Sequence, residues 1–83
     1  MKRVIYSRDA IKTLGGIPKD LANRIRQKVE QHMTDPSAVA RNVAKLQGRP
    51  GYRLRVGSWR VIFEEGEAVL RVLEIGPRGG IYK

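Results

Sequence analysis

Eighty-three residues suffice for one domain with one modest core. Apolar residues at 41% and charged residues at 30% exclude a disordered chain, no apolar run approaches the roughly 18 residues of a membrane span, and the absence of cysteine excludes disulfides, thiol catalysis and thiolate metal sites. Seventeen Lys and Arg against eight Asp and Glu leave a net charge of +9, which predicts a polyanionic partner: nucleic acid, an acidic protein, or both.

The basic start MKR is followed by only a short apolar run, VIY, too short for a signal peptide, so a cytoplasmic chain is expected. Lys2 to Tyr6 predicts a first strand. Ser7 can cap a helix that starts at Arg8 and turns Ala10, Ile11 and Leu14 inward, with Asp9 suited to the N-terminal dipole. Gly15-Gly16 stops that helix, and Pro18 opens a second at its first turn, where a missing N–H costs nothing. Leu21, Ile25, Val29 and Met33 recur every four residues, so the second helix is amphipathic and runs to about Thr34, where Asp35-Pro36 ends it. A further short helical piece is expected within Ser37 to Gln47, with Val39, Val43 and Leu46 inward, ended by Gly48 and Pro50.

Three strands follow, Tyr52–Val56, Trp59–Glu64 and about Glu67–Ile75, joined by Gly57-Ser58 and by a turn around Glu65-Gly66. They predict an antiparallel meander, and the element order predicts an α+β domain over residues 1–83 with the helices on one sheet face. Alternation places Tyr52, Leu54, Val56, Trp59, Val61 and Phe63 on the buried face, joined by Ala68, Leu70 and Val72. Arg53, Arg55, Arg60, Ile62, Val69, Arg71 and Leu73 share the other. In the simplest register Arg55 faces Arg60 and Arg71 lies on its other side, a row of like charges that destabilises a sheet unless an anion sits on it. From Arg41 to Phe63 there are six basic residues, Arg41, Lys45, Arg49, Arg53, Arg55 and Arg60, and no acid. Arginine holds phosphate in a planar fork, which suits this bias.

The stretch LQGRPGYRLRVGSWRVIFE and the terminal LEIGPRGGIYK, with the order of elements, resemble the RelE/ParE superfamily of toxins from type II toxin–antitoxin modules. The likeness covers essentially the whole chain and looks closer to the RelE branch, whose members are ribosome-dependent mRNA endonucleases. The ParE branch, which targets DNA gyrase, generally lacks the full basic set. The resemblance implies metal-free, cofactor-free cleavage of message in the ribosomal A site by attack of a ribose 2′-oxygen on the adjacent phosphate. It also implies neutralisation by a cognate RelB-like antitoxin in a hetero-oligomer. By position it implies phosphate clamping and charge stabilisation by Arg53, Arg55 and Arg60, leaving-group protonation at Arg78, and base stacking by Tyr82. Arg49, Lys45 and Arg71 are expected to add RNA contacts. One departure stands out: Arg55 falls where well-known members often carry a lysine proposed as general base, and arginine, protonated far above physiological pH, is a poor base.

Each of these residues also has a plainer explanation. The strand arginines could form an ordinary solvated face, Arg71 could pair with Glu64, Glu67 or Glu74, Arg78 lies in the flexible-looking GPRGG, and Tyr82 could close the edge of the core. Trp59 belongs with the core. Glu64, Glu65 and Glu67 surround a turn and read as solvated rather than as a metal site, while His32 reads as helix packing or surface. Arg24, Arg26 and Lys28 read as a solvated helix face, with contact to ribosomal RNA as the alternative. Two other functions stay open, a gyrase poison that acts by binding and a non-catalytic member that binds only its antitoxin.

Overall fold

Ser7 makes the first corner of the chain in three ways. Its hydroxyl oxygen accepts from the Ala10 amide at 3.0 Å, capping helix α1 (Arg8–Gly15), and its hydroxyl donates to the Leu73 carbonyl at 2.7 Å. Its own amide donates to the Val72 carbonyl at 2.8 Å, which ties the corner to the last strand. The structure, a computed structural model, describes residues 2–77. Strand β1 (Arg3–Tyr6) precedes α1, and helix α2 (Lys19–Thr34), a 3₁₀ helix (Pro36–Asn42) and strands β2 (Val43–Lys45), β3 (Tyr52–Val56), β4 (Trp59–Glu65) and β5 (Val69–Pro77) follow. The sheet runs β1-β5-β4-β3-β2, with β1 parallel to β5 and every other pair antiparallel. This is the expected α+β arrangement of a helical hairpin on one face of a sheet.

Ala10 and Leu14 of α1, and Ala22, Ile25 and Val29 of α2, meet Leu54, Val56, Val61, Phe63, Leu70, Val72 and Ile75 of the sheet in one core. Burying each large aliphatic side chain contributes on the order of 1.5–3 kcal/mol. Leu21 and Trp59 pack against it partly buried, on the inward sides that the helical spacing and the strand alternation respectively predict. Ile11 is a correction: it is 57% exposed, because the short α1 turns only Ala10 and Leu14 toward β5. Ala68 is also exposed, at the tip of the β4–β5 hairpin.

Two larger corrections concern topology. The expected helical piece within 37–47 is a 3₁₀ helix only as far as Asn42, after which the chain becomes an edge strand paired to β3. Val39 is buried as expected. The second correction is the β4–β5 register. The turn spans residues 66–68 rather than Glu65-Gly66 alone, with the Gly66 amide donating to the Val69 carbonyl at 2.9 Å. Glu64 therefore faces Arg71, and Phe63 faces Val72. A bulge follows between Ile62 and Phe63: Ile62 faces Glu74, so Leu73 is the extra residue. The carbonyl of that bulged residue is the one Ser7 satisfies.

His32 is inward and 9% exposed, on α2 between the core and the β4–β5 hairpin. Its ring tilts against Phe63, and Nε2 lies 2.9 Å from Glu65 Oε1, while the other Glu65 oxygen receives the Lys2 ammonium. Nδ1 is buried without a hydrogen-bond partner among the described residues, so the proton belongs on Nε2, which donates to the carboxylate. Glu65 thus ties the N-terminal segment, α2 and the hairpin together rather than standing in a solvated turn. Burial alone would push its carboxyl up. The hydrogen bonds from Lys2 and His32, with the Lys2 charge, outweigh that and hold it below its ordinary value of 4.5. A carboxyl lowered on folding stabilises the fold fully above its unfolded value and loses that contribution as pH falls through the folded value. A Glu65→Gln variant is therefore expected to be less stable by about 1–2 kcal/mol at pH 7, with the gap closing as pH falls below the ordinary value of 4.5. Urea unfolding of both proteins across pH 3–7 measures it, and a pH-independent gap would count against the ion pairs.

Candidate functional site

The β3–β4 hairpin has the register its sequence predicts: Val56 faces Trp59, Arg55 faces Arg60, and Arg53 faces Ile62. Gly57 takes the positive φ of 61° that the first position of such a tight turn requires, and Ser58 does not. Arg55 is exposed, while Arg53 and Arg60 are half-buried. The Arg60 guanidinium is held at the turn, donating from Nη1 to the Trp59 carbonyl at 3.1 Å and, at 3.5 Å, to the Gly57 carbonyl.

On the same side, the end of the 3₁₀ helix and β2 supply a wall that local sequence does not predict. Arg41, Asn42, Val43 and Ala44 close a cavity of about 110 Å³ with Arg53, Arg55 and Arg60. Four arginines therefore line one small concavity. Arg41 belongs to the acid-free run of the sequence, but only the pairing of β2 with β3 brings it to the site. The site can bind and polarise a phosphate, since arginine forks match phosphate oxygens in pairs. It cannot take up protons near neutral pH, because guanidinium stays charged.

The other candidates divide. Arg49 reaches Glu74 at 3.2 Å across the arginine face, an exposed ion pair of small energetic weight. Glu74 faces Ile62, which is fully buried on the arginine face, outside the helix-side core. Arg71 is not next to Arg60, where Gly76 stands. It faces Glu64, four residues and about 13 Å further along β4. Lys45 faces Tyr52, whose side chain stacks on Phe63, so it belongs to the helix-side face rather than the arginine face. Arg78 and Tyr82 lie outside the described residues.

Among the helix cations, Arg24 approaches the hairpin turn: a methyl group on Gly57 would sit 3.8 Å from its Nη1. Arg26 lies with Glu30 near the Tyr6 hydroxyl, whose pKa is raised, mainly by burial, against the Arg26 charge. A larger hollow of about 540 Å³ at the far end of the sheet is lined by Tyr52, Glu64, Glu65 and Arg71 among others. Two carboxylates against one guanidinium make it unsuited to a polyanion. Among the described residues no three His, Cys, Asp or Glu side chains converge as a metal site, and no helix is long and apolar enough to cross a membrane.

Comparison with known proteins places the fold and the family. A chain of the archaeal RelE–RelB complex from Pyrococcus horikoshii OT3 is similar over 95% of this chain and 97% of its own, with 28% identity and a TM-score of 0.76. The intact Escherichia coli RelBE toxin–antitoxin complex has a chain with 18% identity and a TM-score of 0.75, covering 93% of this chain and 96% of its own. The RelB–RelE complex of Methanococcus jannaschii has one at 22% and 0.72, covering 94% of each. At those lower identities the likeness bears on the fold alone. No curated protein sequence matches. The family model described as the ParE toxin of the type II toxin–antitoxin system parDE matches residues 4–82, nearly the whole chain. With a RelE-like fold and a family match of that extent, the chain belongs to the ParE toxin family, within the RelE/ParE superfamily of type II toxins.

Proposed function

We propose that this toxin is a metal-independent endonuclease that cuts messenger RNA in the ribosomal A site, in the cytoplasm, and is silenced by a RelB-like antitoxin. The observation that carries it is the cavity lined by Arg53, Arg55 and Arg60, a concentration of fixed positive charge beside a turn. The RelE–RelB complexes among the similar structures support an antitoxin partner.

In this mechanism a ribose 2′-oxygen attacks the adjacent phosphorus, the P–O5′ bond breaks, and the products are a 2′,3′-cyclic phosphate and a 5′-hydroxyl. Negative charge builds on the non-bridging oxygens, and guanidiniums held in place before the reaction stabilise it without reorganisation. Arg60, already fixed by two carbonyls, is best placed for that role, with Arg53 and Arg55 holding the phosphate. The 2′-OH proton leaves to water or to the ribosome, because Arg55 cannot accept it. The 5′-oxygen takes a proton from the position of Arg78. Tyr82 stacks on a base, a contact of roughly 1–3 kcal/mol.

The parDE description of the matching family favours a second function, inhibition of DNA gyrase by binding alone. Mapping mRNA 5′ ends after induction separates the two. New ends within translated codons are expected; their absence, with relaxed or broken DNA and an SOS-type response, would replace the first function by the second.

A further inference from the structure

We propose that Arg41 and Asn42 form a second phosphate site beside the Arg55–Arg60 pair, so that the cavity takes two successive phosphates of a single-stranded RNA. The proposal rests on the RNA-directed function above and names how the substrate lies on that site.

The geometry begins with β2. Val43 faces Leu54 and Ala44 faces Arg53, so Asn42, one residue earlier in an antiparallel pair, comes across from Arg55. Asn42, Arg55 and Arg60 then form a line across three strands at about 4.8 Å per strand. Gly76, which faces Arg60, extends that line without a side chain and leaves room beside it. Arg41 stands at the other end, on the exposed last turn of the 3₁₀ helix, and lines the same cavity.

Charge decides the stoichiometry. A phosphodiester carries one negative charge, while Arg41, Arg55 and Arg60 each bring a positive charge to the lining of the cavity. Among the described residues the side chains of Arg41 and Arg55 make no hydrogen bond or ion pair, and Glu74, the acid across from Ile62, is engaged by Arg49. One phosphate between Arg55 and Arg60 would leave the Arg41 end uncompensated. A neighbouring phosphate of the same strand, bound by the Arg41 fork and by an amide N–H of Asn42, neutralises it. The strand thus crosses β4, β3 and β2 from the Gly76 side to the open edge.

The test is binding of a fluorescently labelled, uncleavable 2′-O-methyl uridine tetranucleotide by the full chain, measured by anisotropy across a salt series. Each phosphate contact on a single strand contributes roughly 0.7 to the slope of log affinity against log salt. Arg41→Ala is expected to lower that slope by about 0.7, and Asn42→Ala to weaken binding with the slope unchanged, since an amide releases no counterion. Lys12→Ala, on the exposed side of α1, should match the parent. On programmed ribosomes Arg41→Ala should raise KM with kcat within about twofold. A parental slope in Arg41→Ala, or no binding of the tetranucleotide by the parent, overturns the two-phosphate site. Cleavage within codons by that same parent would still leave the proposed function standing.

Discussion

In the proposed reaction, an Arg60→Ala variant is expected to cleave ribosome-bound message about 10²–10³-fold more slowly than the parent while folding at least as stably. The rate falls because Arg60 is the guanidinium whose position is set before substrate arrives, by the Trp59 and Gly57 carbonyls. A charge already in place stabilises the developing oxyanion without the cost of moving there. The stability holds or rises because Arg55 stands directly across the hairpin, and like charges in that position repel by several tenths of a kcal/mol. Single-turnover cleavage on programmed ribosomes and thermal melting of the same preparation measure both effects. A variant that cleaves at the parental rate removes Arg60 from the chemistry. One that melts far below the parent would mean that the row is a structural feature and that its arginines stabilise the sheet.

Gly51→Ala should have the largest effect on stability, a loss of about 2–4 kcal/mol and a fall in melting temperature on the order of 10–20 °C. Gly51 has φ of 111°, a region that L side chains rarely adopt, and an added Cβ would lie 2.8 Å from the Phe63 carbonyl oxygen. That oxygen belongs to β4 at the centre of the sheet, next to the fully buried Phe63 side chain, so it has little freedom to retreat. The Gly51 carbonyl also accepts from the Leu46 amide at 3.0 Å, closing the loop between β2 and β3. Gly48→Ala is the control. Its φ of 78° is also positive, but nothing lies within 4 Å of an added Cβ, so it should cost only about 1 kcal/mol. Guanidinium unfolding of the three proteins gives the comparison, and equal losses in the two variants would show that the approach to Phe63 is not the cause.

Much of the site is legible in residues 52–63. The period-two alternation and the Gly57-Ser58 turn are local, so they predict which side chains share a face and that Arg55 meets Arg60. Arg71 shows where such reasoning stops. Its face is right, because the longer 66–68 turn moves the pairing by four residues, an even number. Its neighbour is wrong, because nothing between Glu65 and Val69 declares the length of that turn. Residues 37–47 fail for a different cause. Val39, Val43 and Leu46 have the spacing of a helix face, but so few residues cannot distinguish a short helix from a bend followed by an edge strand. His32 and Glu65 are 33 residues apart, and their contact has no mark in either neighbourhood.

What the amino-acid sequence determined by itself is therefore everything governed by neighbours in the chain. That covers the Ser7 cap, the two helices with their stops, the polarity of the β3–β4 ribbon and its excess of positive charge. The tertiary structure alone decided which distant segments meet. It set β1 beside β5, bulged the sheet at Leu73, drew β2 against β3 and so brought Arg41 to the arginine cavity. The physical reason is that turns, caps and alternation are selected by local sterics and hydrogen bonding. Strand neighbours and register are selected by burial and backbone pairing summed over the whole sheet.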